Sequence, residues 1–448
     1  MGCKASSLIN ICLAFGYKLT LLVYRYSKLI NNCYELIKGA MSEFLKGSGK
    51  PELLATQGWN ILAEEVSFPV AVVKQSAISN NARWMAQYAL QAGVKLAPHG
   101  KTTMSPDLFK QQIEQGAWAI SLATVPQVLN AVEQGIDRII LANQLVGKHH
   151  FELIAQLLIQ TDTEFYCFVD SPDNARQLGE FFQKKNVSLN ILLEVGVENG
   201  RCGVRSNEQV FELLGVCQQF TALNVCGLSF YEGVIATKHA VEQINAFVND
   251  IMAMAVQIQQ HHGFAVDRPI ITGAGSAWYD VVAKAMNTSK TCERFTYVLR
   301  PGCYLIHDTG IYQTAQQQVE KRCQLACDIT GSLTSGLYLW AYVVSRAQPN
   351  QVIIGLGKRD VAFDAGLPTP ELTFAPQSQK LDKAPCTFRV THIMDQHCMM
   401  SVASDSTLKV GDLVCFSSSH PCLTFDKWRQ IGVVEDEWVI NKTLTTYF

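Results

Sequence analysis

Three features of the chain could do chemistry. The first is "PHGKT" (98–102), where a short apolar run (Val94, Leu96, Ala97) stops at Pro98 and a lysine follows. A lysine placed at the end of a buried strand, and partly desolvated there, is an amine nucleophile that can form a Schiff base with a carbonyl. Taken alone, such a lysine is most often a solvated loop residue. The second feature is a pair of glycine-containing loops, "ITGAGS" (271–276) and "RPGCY" (300–304). Backbone N–H groups in loops of this kind are free to cradle a phosphate. The third is "SSSHPCLTFDKW" (417–428), in which His420 and Cys422 stand two apart. On an extended backbone both side chains project from one face, as two ligands of one zinc ion would. An isolated His-x-Cys is usually structural.

For these features to act together, the chain must bring residues near 100, 275, 300 and 420 to one place. From residue 69 to 325, apolar β-type runs alternate with amphipathic stretches. "FPVAVV" (68–73) reads as the first strand and "SNNARWMAQYALQAG" (79–93) as a helix closed by Gly93. Further strands are expected at "WAISLAT" (118–124), "RIILAN" (138–143), "TEFYCFVD" (163–170), "SLNILLEVG" (188–196), "NVCGLSF" (224–230), "RPIITGAG" (268–275) and "TYVLRPGCY" (296–304). This rhythm predicts an α/β fold, a (β/α)8 TIM barrel over 69–325, rather than an open doubly wound sheet. Most strands end in a chemically capable residue: Lys101, Asn143, Asp170, Glu194, Tyr231, Gly273 or Tyr304. The C-terminal ends of barrel strands form the active-site face. A lysine early in such a barrel and a phosphate cup late in it suit pyridoxal 5′-phosphate. After residue 325, short alternating runs separated by turn residues predict a C-terminal all-β domain over 326–448, joined by 51–68.

Composition narrows the field. In 448 residues, 48% are hydrophobic and 17% charged, enough for a large core. The net charge of −2 and the lack of a long basic run argue against nucleic acid as a partner. The 15 cysteines are scattered without a C-x-x-C pair, which fits a reduced, cytoplasmic protein. Residues 1–50 read as an extension, possible to dispense with if the working start is Met41. "SLINICLAFGYKLTLLVYRY" (7–26) is interrupted by Lys18 and Arg25 and is marginal as a spanning helix. "MGCKAS" matches a myristoylation pattern with Cys3 beside it, so membrane association of the N-terminus stays open.

Taken together, "PHGKT" (98–102), "ENGRCGV" (198–204), "GLSFYEG" (227–233), "TGAGS" (272–276) and "RPGCYLIHD" (300–308) resemble, in order and spacing, the fold-type III pyridoxal-phosphate enzymes. These are the alanine-racemase-like barrels, and the chain is most similar to their D-serine dehydratase and D-threonine aldolase branch, from about residue 60 to 440. The resemblance implies that Lys101 is the Schiff-base lysine, with His99 a support beside it. It implies that Arg201 lies against the cofactor ring and that Tyr231 stands by the pyridine. Gly273, Gly275, Ser276, Gly302 and Tyr304 match the phosphate-side loops. Where the family carries Asp-x-Gly before the arginine, this chain has the longer "EVGVENGR" with Glu194. His420 and Cys422 match a family zinc site in its dehydratase form, since the aldolases carry His-x-Asp there. His397 and Cys398 match a neighbouring segment that would face the substrate or support the metal.

The implied activity is a zinc- and pyridoxal-phosphate-dependent deamination of a β-hydroxy D-amino acid, D-serine or a close relative. A D-threonine-type aldolase, an amino-acid racemase and a non-catalytic pyridoxal-phosphate carrier are the alternatives. The resemblance also implies a homodimer in which one subunit's β domain completes the other's site.

Overall fold

The computed structural model describes residues 45–49, 58–288 and 294–448. Two strands precede the barrel, β1 (Trp59–Asn60) and β2 (Val70–Lys74). The barrel strands follow: β3 (Lys95–Leu96), β4 (Ile120–Leu122), β5 (Arg138–Gln144), β6 (Glu164–Val169), β7 (Leu189–Val195), β8 (Leu223–Phe230), β9 (Ile270–Gly273) and β10 (Thr296–Leu299). They form an 8-stranded sheet in the order β3-β10-β9-β8-β7-β6-β5-β4, paired in parallel throughout. A parallel bridge between His99 and Ser121 joins the two ends, and the Ser121 N–H donates to the Pro98 carbonyl at 2.9 Å. The expected closed α/β barrel is therefore present.

Strand alternation explains the two layers of core. Ala97, Ile140, Phe168, Leu192 and Val298 point inward and pack together, while Ile139, Leu141, Ile191 and Leu193 face the helical shell. Parallel strands covered on both faces read as continuous apolar runs, which is how they announce themselves in the sequence. Two of the helices between them are capped by serine hydroxyls. Ser171 and Ser206 accept the N–H of Asn174 and Gln209, and helix 172–185 closes on Asn186 in the left-handed region.

The remaining strands are β11 (Leu337–Gln348), β12 (Gln351–Ile354), β13 (Thr369–Ala375), β14 (Lys380–Lys383), β15 (Arg389–Ile393), β16 (Cys398–Ser401), β17 (Leu413–Ser417), β18 (Gln430–Val434) and β19 (Val439–Thr445). With β1 and β2 they make an 11-stranded sheet. Trp59, Trp340 and Trp438 are buried together in its core, with Trp340 and Trp438 edge to face at 5.0 Å.

Two expectations change here. Val70–Lys74 is not a barrel strand. It pairs antiparallel with β11 (Val73 opposite Leu337) and parallel with β18 (Val73 opposite Val433). A short, wholly buried run looks the same in either sheet, and its partners lie more than 250 positions away. Residues 46–49, assigned to the extension, pack on the β domain. Lys46 Nζ meets Asp360 Oδ1 at 3.0 Å and sits 3.8 Å over the Trp428 ring, and Gly49 bridges Val66. The myristoylation match and Met41 lie outside the described residues. Among the described residues, no helix is long and apolar enough to cross a membrane.

Candidate active site at the mouth of the barrel

The C-terminal strand ends and one loop of the β domain enclose a cleft of about 530 Å³. His99, Lys101, Arg201, Tyr231, Gly275, Ser276, Gly302, His420 and Cys422 all line it. Nine positions singled out in the sequence therefore meet in one place. Two others do not. Gly273 ends β9 against the Phe230 ring, which a Cβ would approach to 2.2 Å, so glycine there serves packing. Tyr304 is buried behind the loop, its hydroxyl accepting from Gln112 Nε2 at 3.0 Å. His397 is exposed in the turn before β16, and Cys398 is buried in the core of that strand. Neither lines the cleft.

Lys101 sits on a single helical turn, Gly100–Thr102, just past the strand end. The turn packs tightly, because a Cβ on Gly100 would lie 2.7 Å from the Phe109 ring. Lys101 itself is exposed, not partly desolvated as the sequence suggests. Beside it, His99 is half-buried, and its Nδ1 is buried without a hydrogen-bond partner. Burial first, then the Lys101, Arg300 and Arg201 cations, hold its pKa well below the usual histidine value. A buried ring nitrogen without a partner, on a residue that lines the cleft, is a polar group in need of one.

The phosphate-side loops depart from expectation in detail. Glu232 is fully buried, and its carboxylate accepts the N–H of Ala274 at 3.0 Å and of Gly275 at 2.8 Å. Those two amides are engaged by the protein. The amides that converge on the cleft belong to Gly302 and Cys303, which both donate to Ser276 Oγ at 3.2 Å. Gly302 must be glycine, since a Cβ would lie 2.6 Å from the His99 carbonyl and 2.7 Å from Thr102 Oγ1. Ser276 Oγ holds these two N–H groups as an anion oxygen would, and a hydroxyl that turns aside to donate leaves both to a phosphate.

Cations border this cradle. The Arg201 guanidinium lies 4.6 Å over the Tyr231 ring. Arg300 is buried, donating to Thr272 Oγ1 and to the Phe230 carbonyl, each at 2.7 Å. Burial pulls its pKa down to about 10, against the nearby Glu194 and Glu232 carboxylates. Arg300 was quoted in "RPGCY" yet not picked out. Strand alternation could have found it: Val298 faces inward and Leu299 outward, so residue 300 returns to the interior.

The β-domain half of the site is one loop. His420 precedes Pro421, and Cys422 opens a single helical turn, Cys422–Phe425. The segment is thus not extended, yet both side chains reach the cleft. His420 Nδ1 pairs with Asp364 Oδ2 at 2.8 Å. Cys422 Sγ lies 3.4 Å from Cys303 Sγ and 3.4 Å from Thr102 Oγ1. A hydrogen bond from Cys303, followed by those from His420 and Thr102, lowers the Cys422 thiol to about 5 against the opposing effect of burial. The bond to Cys422 raises His420 to about 9, with help from Asp364 and against burial. Once His420 gives up its proton, the pair offers a soft sulfur and an imidazole nitrogen, donors of the kind zinc takes. Sequence reading missed Glu232, Cys303, Thr102 and Asp364, whose roles arise from contacts across long separations. This chain's own β domain brings His420 and Cys422 to the cleft.

A parallel (β/α)8 barrel with a lysine, a phosphate cradle and a β domain at its mouth defines a class, the pyridoxal-phosphate barrels. Comparison with known proteins agrees. Residues 73–305 match the family model "Alanine racemase, N-terminal domain", and residues 336–434 match "Putative serine dehydratase domain". The chain belongs to the alanine-racemase N-terminal-domain family of fold-type III pyridoxal-phosphate enzymes, in its D-serine dehydratase-like branch. It is 26% identical over 389 residues to a D-threonine aldolase from Arthrobacter sp, covering 84% of this chain and 92% of that one. The D-threonine aldolase structure from Filomicrobium marinum superposes with a TM-score of 0.71 at 20% identity, covering 87% of this chain and 97% of that one. The D-threo-3-hydroxyaspartate dehydratase from Delftia sp. HT23 superposes with a TM-score of 0.67 at 16% identity, covering 87% and 99%. That dehydratase has also been solved as a histidine-to-alanine variant and as a cysteine-to-alanine variant two positions further on, the latter in the metal-free form.

Proposed function

We propose that the chain is a pyridoxal-phosphate lyase acting on a β-hydroxy D-amino acid, and that it releases ammonia and a keto acid from D-serine or a close relative. The observation that carries this reading is the meeting of His420 and Cys422 with Lys101 in one cleft. Lys101 would hold the cofactor's aldehyde carbon. Ser276 and the amides of Gly302 and Cys303 would hold its phosphate. When bound, the cofactor supplies an electron sink for the charge left on Cα. The Lys101 amine, standing beside that carbon, would take the Cα proton. His420 and Cys422 would hold a divalent metal, zinc by donor chemistry, which supplies Lewis acidity for the departing β-hydroxyl. The metal-free cysteine variant of the similar dehydratase supports the same role for Cys422.

A D-threonine-type aldolase is the second reading, favoured by the likeness to the Arthrobacter aldolase. It would use the same lysine and cradle but break Cα–Cβ. A panel of D- and L-β-hydroxy amino acids, assayed with and without chelator, separates the two. Keto acid with ammonia supports the dehydratase, and glycine with an aldehyde supports the aldolase. The family resemblance also carries a homodimer. Light scattering at micromolar concentration tests it, and a fully active monomer would overturn it.

A further inference from the structure

We propose that Cys303 and Cys422 are a redox-active pair, which a peroxide joins as a disulfide between the barrel and the β domain, shutting the enzyme off until a thiol reductant reopens it. Cys303 follows the barrel strand β10 and Cys422 belongs to the β domain, 119 positions away, yet their Sγ atoms lie 3.4 Å apart. Closing that gap to the S–S bond length of about 2.05 Å takes a movement of about 1.4 Å. Both side chains line the cleft, where a small polar oxidant can enter. Cys422 is half-buried and Cys303 is only 4% exposed. The oxidant therefore meets Cys422 first, and Cys303 stands behind it as the resolving thiol. Cys303 is held in that place, because its N–H is tied to Ser276 Oγ at 3.2 Å. Thr102 Oγ1 lies 3.8 Å from the Cys303 sulfur and 3.4 Å from the Cys422 sulfur, so one hydroxyl borders the pair.

The chemistry has two steps. The Cys422 sulfur attacks one oxygen of the peroxide. An S–O bond forms, the O–O bond breaks, and the leaving hydroxide departs as water with the Cys422 proton. Cys303 sulfur then attacks the Cys422 sulfur. The S–S bond forms, the S–O bond breaks, and hydroxide again leaves as water, with the Cys303 proton. Two thiols are oxidised and one hydrogen peroxide is reduced to two waters. A disulfide sulfur is no longer the thiolate that binds a metal. The bond itself stands on the geometry, and the loss of activity rests on the metal reading above.

The test uses the full chain with pyridoxal phosphate, one portion metal-free and one loaded with zinc, each treated with stoichiometric hydrogen peroxide. Peptide mass mapping without reductant should find the Cys303 and Cys422 peptides joined, two hydrogens lighter than their sum. Activity should be lost in proportion to the joined fraction, and dithiothreitol should restore it. Zinc should slow the joining. Cys303→Ser leaves Cys422 without a resolving thiol, so peroxide should carry it on to the sulfinic acid, which dithiothreitol does not reverse. Cys386→Ser, at an exposed position outside the cleft, should join as the parent does. If Cys303→Ser fails to fold, the mapping of the parent chain decides. Joining at the same rate with and without zinc supports the pair and overturns the metal reading. No joined peptide, Cys422 joined to a different cysteine, or a joined chain that keeps its activity overturns the proposal.

Discussion

Asp364 Oδ2 lies 2.8 Å from Nδ1 of His420, and this contact decides which ring nitrogen is left for a metal. With Nδ1–H donating to the carboxylate, Nε2 carries the free lone pair. The same contact fixes the ring's orientation and increases its basicity. Asp364→Ala should therefore raise the metal Kd about 10–100-fold while leaving cofactor binding alone. A competition titration against a chromophoric chelator measures this. An unchanged Kd would mean that the metal, if bound, does not use His420 in this tautomer.

Lys101 gives the sharpest test of the cofactor. It is exposed and makes no packing contribution that its loss would expose, so Lys101→Ala should change stability by no more than about 0.5 kcal/mol. Activity should fall by at least the 10²–10⁴-fold typical of a lost general base, roughly, because covalent attachment is lost as well. Borohydride should fix pyridoxal phosphate to Lys101 in the parent chain and to nothing in the variant. A label found on another lysine would reassign the site.

The barrel was legible because its strands are covered on both faces and so appear as unbroken apolar runs, such as Ile139–Leu141 and Ile191–Leu193. The same property misled at Val70–Val73, whose burial is equal but whose partners are β11 and β18. Lys101, Arg201, Tyr231 and His420 were legible from residue type and motif order. Tyr304 was not, because it lies in the turn after β10, where no strand alternation tells whether a side chain faces the cleft or Gln112. Glu232 and Cys303 were invisible for another reason. One acts by accepting amides from residues 274 and 275, the other by touching a thiol 119 positions away, and local sequence records neither relation.

Glu232 leads to a third expectation. Its buried carboxylate is raised above the usual carboxylate range by burial, with the amides of Gly275 and Ala274 opposing that rise. Ala274 holds φ at +69°, a conformation that alanine rarely adopts, so the carboxylate is what keeps this loop in place. Glu232→Ala strands two N–H groups, each worth about 1–3 kcal/mol when buried without a partner, partly offset by removal of a buried acid. A net loss of about 1–3 kcal/mol in urea unfolding is expected, together with weaker binding of pyridoxal phosphate through the displaced Ser276. Glu232→Gln, which keeps one acceptor oxygen, should fall between. Parent-like stability and cofactor affinity in the alanine variant would show that the loop holds itself.

The last expectation concerns pH. His307 is buried, its Nδ1 is 3.0 Å from the Asp308 carbonyl oxygen, and its Nε2 has no partner. Burial lowers its pKa from 6.5 to about 4. A lowered folded-state pKa means that the unfolded chain binds the proton more readily. The neutral ring's contribution is thus complete above about pH 6.5 and is lost as pH falls toward 4, and it amounts to about 3 kcal/mol over that window. His307→Asn removes the titration while keeping a residue that accepts the local φ of +54°. The variant loses some packing at every pH, so the informative quantity is the slope. Between pH 6.5 and 4, the unfolding free energy of the parent chain should fall more steeply than that of the variant. The difference should grow to about 3 kcal/mol at the acid end. Parallel curves across this range, measured by urea denaturation at matched ionic strength, would mean that His307 accepts its proton without unfolding the loop that buries it.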